Sequence, residues 1–319
     1  MPASLRLGVS ACLLGRSVRY DGGHKRDAYI VDTLGRHVTF VPVCPEVEAG
    51  FGVPREPMRL MGKPEAPCLV TTKTRVELTE RMRAFAARRV EELADENLAG
   101  YLFKSKSPSC GFSRTKVYTE QGMAVPRGVG LFARAFMDRF PLVPVEDEGR
   151  LHDPGLREAF IEKLFTLARF REALAGDGAG GLLARLIGFT ADHKLLLMAH
   201  SPELARQIGR LTAGAKERPV EAVLAAYEAL LMHALDRPAT PAKHVNVLQH
   251  IMGYFKKVLT ADAKAELLEA IAAYRQGSLP RLVPVTLLLH YARHYNVAYL
   301  RGQVYLHPRP LELTLRNHA

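Results

Sequence analysis

The sequence predicts an α/β domain over residues 1–150, built on a mostly parallel sheet in a three-layer arrangement, followed by an all-α domain over residues 151–319. Three observations carry that prediction. Up to about residue 145, short apolar runs of strand length alternate with amphipathic stretches, the pattern of parallel strands joined by helical crossovers. From Asp153 the strand signal stops, and helical periodicities follow one another between Gly and Pro breaks. At 319 residues the chain is long enough for two domains, each with its own core.

Leu5 to Ala11 reads as the first strand and is ended by Cys12. After Leu13-Leu14-Gly15-Arg16 comes a polar turn, Tyr20 to Asp27, in which Asp-Gly-Gly marks a tight reversal. Ala28 to Gly35 predicts a short helix that stops at its glycine. Val38 to Val43 is a second strand, ended by Cys44-Pro45-Glu46. Gly50 to Pro57 is too rich in Gly and Pro for either regular element and forms a loop, where function commonly sits. Val70 to Val76 reads as a further strand. Thr79 to Asn97 is an amphipathic helix, with Met82, Phe85, Ala86, Val90 and Leu93 spaced along one face. Leu98 to Phe103 is short, apolar and aromatic, the mark of a buried strand. It runs into Lys104-Ser105-Lys106-Ser107-Pro108-Ser109-Cys110-Gly111. There the proline lacks a donor, the serines compete for the backbone and Gly111 allows close approach, so a tight loop follows. Gly122 to Gly130 reads as a loop around Pro126, Leu131 to Phe140 as a helix, and Pro141 to Val145 as the last strand.

In the second half, helices are predicted over 155–174, 180–199, 202–212, 219–235, 240–258, 260–276 and 280–296, with Gly176 to Gly181 as a flexible connection. His193 and His200 share one helical face, and His244 and His250 lie on another helix. Without an HExxH pairing or an acidic cluster, these histidines point to polar helix packing or RNA contacts rather than to a metal. The tail, Tyr299 to Pro308, is expected to cross back onto the first domain.

Hydrophobic residues make up 48% and charged residues 24%, as in ordinary soluble proteins. The net charge of +11 is spread evenly: residues 1–150 carry 23 Lys and Arg against 18 Asp and Glu, residues 151–319 carry 21 against 15. That balance suits an RNA partner through phosphate neutralisation, and equally suits plain solubility. No apolar run approaches the roughly 18 residues of a membrane span, and Met1 to Arg6 has no signal-peptide pattern, so the cytoplasm is the expected location. Nothing in the sequence specifies an oligomeric state. Four cysteines in so long a chain do not make a disulfide framework. Cys68, between apolar neighbours, is expected to be a buried small hydrophobe. Cys12, Cys44 and Cys110 each end a predicted strand. In open α/β sheets ligands bind outside the carboxyl ends of the strands, so the three can converge on one point.

Three thiolates suit two kinds of centre. A zinc site with an open position usually mixes in His or a carboxylate, and structural zinc takes four ligands. A 4Fe-4S cluster normally takes four cysteines, and with three it leaves one iron open to a substrate atom. Glu46, two residues from Cys44, is placed to transfer protons, and Ser107 to hydrogen-bond the same species. A cysteine nucleophile would need only one thiolate and a base.

The motifs Ser10-Ala11-Cys12-Leu13-Leu14-Gly15, Cys44-Pro45-Glu46 and Ser107-Pro108-Ser109-Cys110-Gly111 resemble the thiouracil desulfidases, in order, over about residues 4–145. The helical half, with Ala191-Asp192-His193-Lys194 and Gly302-Gln303-Val304-Tyr305, resembles an uncharacterised domain often fused to the first. The fusion is similar to bacterial desulfidases that remove sulfur from 4-thiouridine in transfer RNA. The resemblance implies a 4Fe-4S cluster held by Cys12, Cys44 and Cys110, with one iron open to the thiocarbonyl sulfur. It implies Glu46 and Ser107 as catalytic residues, hydrolysis of C=S to C=O without net redox change, and release of hydrogen sulfide. The implied substrate is free thiouracil, thiouridine or 4-thiouridine in transfer RNA. Ser10, Tyr20, Lys104, Lys106 and Ser109 are candidate substrate contacts. The loop Val47 to Pro57 departs from the family's Gly- and Pro-rich pattern by carrying Val47, Glu48 and Glu56. Two other readings stand beside this one. A redox-sensing iron–sulfur RNA-binding protein would need no acid/base pair, and a zinc-dependent base hydrolase would carry the HxE…PCxxC spacing missing here. Phosphates are expected to meet Arg55, Arg59, Lys104 and Lys106, the stretch Tyr254-Phe255-Lys256-Lys257 and a His193/Lys194 face.

Overall fold

A computed structural model of the chain describes residues 5–176 and 181–306. Most of the predicted Gly176 to Gly181 connection and the His307-Pro308 end of the tail lie outside the described residues. In chain order the elements are β1 Arg6–Ser10, β2 Thr39–Val43, α1 Pro45–Glu48, β3 Met58–Lys63, β4 Ala66–Thr71, α2 Thr79–Ala94, β5 Gly100–Phe103, β6 Thr115–Tyr118, β7 Ala124–Gly128, α3 Leu131–Arg139 and β8 Val145–Asp147. Helices α4 Pro154–Ala175, α5 Gly181–His200, α6 Pro202–Ala213, α7 Val220–Leu235, α8 Pro241–Met252, α9 Ala261–Arg275, α10 Leu282–His294 and α11 Ala298–Gly302 follow. The chain divides into two compact units, the first running to Ala168 and the second beginning at Arg169.

The first unit is α/β, and the second is helical, as the sequence predicts. Its first sheet has the order β2-β1-β5-β8 and every pairing in it is parallel. The chain steps from β1 to β2 on one side and later to β5 on the other, so the order reverses beside β1. Such a switch point opens a crevice at the carboxyl ends of the strands.

A second sheet, β4-β3-β6-β7, was not legible in the sequence. Met58 to Lys63 carries Arg59, Gly62 and Lys63 and offers no clean alternation, yet it forms the ladder to β4 and to β6. The predicted loop at Gly122 to Gly130 is β7; Pro126 is tolerated there because β7 is an edge strand. The strand read at Val70 to Val76 lies earlier, as β4, and the chain turns after Thr71 with Arg75 at φ 58°. Alternation along β4 buries Pro67 and Leu69 and turns Cys68 outward. Cys68 is therefore exposed, contrary to the expectation from its apolar neighbours. The last strand starts at Val145 instead of Pro141; the Pro144 carbonyl still accepts from Tyr101 N at 3.0 Å.

One apolar cluster joins the two sheets to α2 and α3, through residues such as Val43, Leu60, Leu69, Phe85, Tyr101, Phe103, Phe132 and Phe136. The rings of Tyr101 and Phe103 stack at 4.1 Å between centroids, and Phe136 meets both. On the other face of the parallel sheet, Leu164 of α4 packs over Gly100 beside Leu7.

In the helical unit, Thr240 and Thr260 cap α8 and α9 by accepting amide hydrogens from Lys243 and Ala263. The predicted crossing tail instead packs on its own unit. Gln303 donates to Ala191 O at 2.7 Å and accepts from Leu195 N at 3.2 Å, and Val304 N donates to Asp192 O at 2.9 Å.

Candidate functional site

Each of the three cysteines sits where a parallel strand ends. After β1 a tight turn, Ala11–Leu14, carries Cys12 and closes on Gly15 in the left-handed region at φ 89°. After β2, Cys44 caps α1, its N–H donating to Glu48 Oε1 at 2.7 Å. After β5 the loop 104–111 carries Cys110. Its turn is built by Ser107, whose Oγ accepts from Ser109 N at 3.2 Å and Cys110 N at 3.0 Å. Gly111 meets the close approach expected of it: a Cβ there would lie 2.8 Å from Ser107 O. The carbonyls of Pro108, Ser109 and Gly111 accept the first amide hydrogens of α3 and the one before them, satisfying groups that a helix start leaves free.

These loops wall one cavity of about 340 Å³, the size of a small-molecule site. Cys12, Cys44 and Cys110 all line it, with Ser10, Tyr20, Glu46, Arg55, Lys104, Lys106 and Ser107. Ser109 does not; it is fully buried behind the wall, donating from Oγ to Glu46 Oε1 at 3.0 Å. Of the predicted polar turn, Tyr20 and Lys25 reach the cavity and His24 does not line it.

Burial pushes all three thiols up. Cys12 is raised to about 11 by burial and then by Cys44, and Cys44 is raised by burial. Cys110 is raised by burial, against which a hydrogen bond from the Ser10 side chain works. Ser10 Oγ also accepts Lys104 N at 2.9 Å, pinning the ends of β1 and β5 together at the switch point.

The charged residues are mostly committed to one another. Arg55 donates to Glu46 Oε2 from Nε at 3.0 Å and again from Nη2. It also donates to Val18 O from Nη1 at 3.0 Å and from Nη2 at 3.1 Å, and to Gly52 O at 2.8 Å. The Val18 carbonyl faces the Cys44 thiol at 3.8 Å. Lys104 pairs with Glu148, which Ser105 also holds through N at 2.8 Å and Oγ at 2.6 Å. Burial pushes the Glu148 carboxyl up, but the hydrogen bonds from Lys104 and Ser105 outweigh it and hold the group below its ordinary value. Two residues expected to meet phosphates are thus engaged internally. A third, Arg59, lies over the Tyr118 ring at 5.1 Å and does not line the cavity. Lys106, at φ 59°, stays exposed on the cavity's edge, as does Lys25.

In the helical unit His193, His200 and His244 are buried packing groups, while His250 is exposed. His193 Nδ1 donates to Phe189 O at 2.8 Å while Nε2 accepts from Arg169 at 3.2 Å, and His200 bonds Arg237 O at 2.7 Å. His193 and Phe255 are buried, so neither presents a face to a partner; Tyr254, Lys256 and Lys257 are exposed.

The donor set fits an iron–sulfur cluster. Three thiols from three loops line one cavity, while Cys68 stands exposed on the other sheet, so three thiols are available there to hold a cluster. Among the described residues no three His, Cys, Asp or Glu side chains close around a single ion. A cluster differs in that its ligands sit on separate irons.

A parallel-sheet domain with a three-cysteine cavity at its switch point, joined to a helical domain, defines the class. The 2-thiouracil desulfurase family matches residues 7–148, and a family of unknown function, DUF1722, matches residues 194–310. The chain belongs to the 2-thiouracil desulfurase family and carries a DUF1722 domain. It is 31% identical over 158 residues to the uncharacterized protein YbgA of Escherichia coli, spanning 49% of this chain and 90% of that one. It is 32% identical over 108 residues to the uncharacterized protein YbbK of Bacillus subtilis, 32% of this chain and 71% of that one. Among solved structures, a [4Fe-4S]-dependent thiouracil desulfidase, TudS, matches with a TM-score of 0.40 and 28% identity, over 47% of this chain and 95% of its own.

Proposed function

We propose that the first unit is a 4Fe-4S-dependent, non-redox desulfidase that converts the thiocarbonyl of a thiolated uracil to the oxo form. The observation that carries this reading is the cavity that brings Cys12, Cys44, Cys110 and Glu46 together at the switch point. When bound by the three thiolates, the cluster supplies a Lewis-acidic iron for the thiocarbonyl sulfur. The chain's own groups handle the protons. Water adds to the carbon bearing sulfur; Glu46 takes a proton from it and returns one to the sulfur. As C=O forms the C–S bond breaks, and one water and one C=S become one C=O and one H₂S. Ser107 Oγ accepts two amide hydrogens, which leaves its own hydrogen to donate into the cavity.

The finer substrate is 4-thiouridine in transfer RNA, or free thiouracil or thiouridine. Exposed Lys25 and Lys106 beside the cavity, and Tyr254, Lys256 and Lys257 on the helical unit, support a polyanionic partner. No described helix is long and apolar enough to cross a membrane.

Anaerobic reconstitution with iron and sulfide tests the reading, with visible absorbance and sulfide release from 4-thiouracil and from thiolated RNA as readouts. Glu46→Ala is expected to keep its iron and lose roughly two to four decades of turnover. Undiminished turnover in Glu46→Ala removes the mechanism.

A further inference from the structure

We infer that Arg55 is a positioning residue that acts through Glu46, fixing the carboxylate on which the desulfidase reading above rests. Glu46 rides on the short helix α1, a single turn that offers little rigidity of its own. Its side chain is nevertheless held at both oxygens, Oε2 by two nitrogens of Arg55 and Oε1 by Ser109. The Arg55 side chain is only 6% exposed, and its five hydrogen bonds all end within the protein. The backbone joins in: Arg55 N donates to Tyr20 O at 2.9 Å. One guanidinium therefore ties together α1, the 18–20 turn and the Gly52 loop, and Glu46 passes the tie on to the Cys110 loop through Ser109.

A planar fork suits this task and an ammonium does not, because only the fork can serve Glu46 and Val18 at once along fixed directions. A merely structural arginine would lower stability and activity independently of Glu46. A positioning arginine loses its effect once Glu46 has gone.

The experiment is a double-mutant cycle in the full chain with Arg55→Gln, Glu46→Gln and the pair, and with Arg55→Lys as the milder variant. In cluster-free protein the double variant is expected to lose less melting temperature than the two single losses added together, the bonds to Val18 and Gly52 being lost with Arg55 in either background. In reconstituted protein Arg55→Gln is expected to keep its iron and its KM within about threefold, while kcat falls by about a hundredfold or more. The double variant should be no slower than Glu46→Gln alone, and Arg55→Lys should fall between wild type and Arg55→Gln. Additive losses in melting temperature, or multiplying losses in kcat, would overturn the inference. A wild-type protein that releases no sulfide would sink the desulfidase reading alone, since the melting cycle decides the Arg55–Glu46 coupling without catalysis.

Discussion

Ser107 serves the site twice, and its two duties can be separated. Its oxygen holds the turn that presents Cys110, while its hydrogen remains for the cavity. Ser107→Ala should therefore lose about 1 kcal/mol of stability along with turnover, because two amides lose an acceptor. Glu46→Ala should lower turnover and leave those two amide bonds in place, losing instead the tie from Ser109 Oγ. Urea titration beside a sulfide-release assay distinguishes the two, and a Ser107→Ala protein as stable as wild type would contradict the turn-building role. Tyr101 makes the opposite case: its ring is fully buried, and its hydroxyl meets no hydrogen-bond partner among the described residues. Tyr101→Phe should leave the melting temperature unchanged or raise it, and a clear drop would show that the hydroxyl is satisfied. At this scale the three cysteines were legible because each punctuates a strand. Arg55's part was not, since nothing local in Gly52-Val53-Pro54-Arg55 says that a chain segment 37 positions earlier supplies its acceptor at Val18.

Among the elements, those with strong periodicity were legible and those completed by partners were not. Helix α2 announces itself by five apolar residues on one face, all of them buried. Strands β3 and β7 are short and rich in Gly, Pro or charge, and become strands through their partners, β3 through β4 and β6 and β7 through β6. Helix α5 is legible as a helix, but the burial of His193 is not. Burial and the Arg169 guanidinium push that imidazole down to about 3 from an ordinary 6.5. Between those two values the unfolded chain binds a proton that the folded one refuses. Stability from this group is thus complete above about pH 6.5 and drains away as pH falls, by about 1.4 kcal/mol per pH unit. Urea midpoints measured from pH 7.5 to pH 5 should fall in the wild type and fall less in His193→Gln. Parallel pH profiles in the two proteins would show that His193 does not govern the slope.

For the whole molecule, the character change at Asp153 marks where the sequence turns helical, while the compact units part at Ala168 and Arg169. Phe160, Ile161, Leu164 and Phe165, in the first part of α4, are buried, and Leu164 covers the parallel sheet at Gly100. A fragment ending at residue 150 strips that cover, so it should aggregate or melt well below one ending at residue 175. Circular dichroism melts of the two fragments check this, and equal stability would free the first unit from α4. If the longer fragment folds, it should retain sulfide release from free thiouracil and lose more of its activity on thiolated RNA. The Gln303 amide has a consequence of another kind, in time. It answers the Ala191 carbonyl and the Leu195 amide across 112 and 108 positions of chain. On the ribosome, at roughly 5–20 residues per second, α5 emerges about 5–20 s before its clasp. Through that interval those two groups have only each other, one helical turn apart, or water. The helical unit is therefore assembled last where its chain began first, and a stall anywhere before Gln303 leaves α5 formed but unlatched.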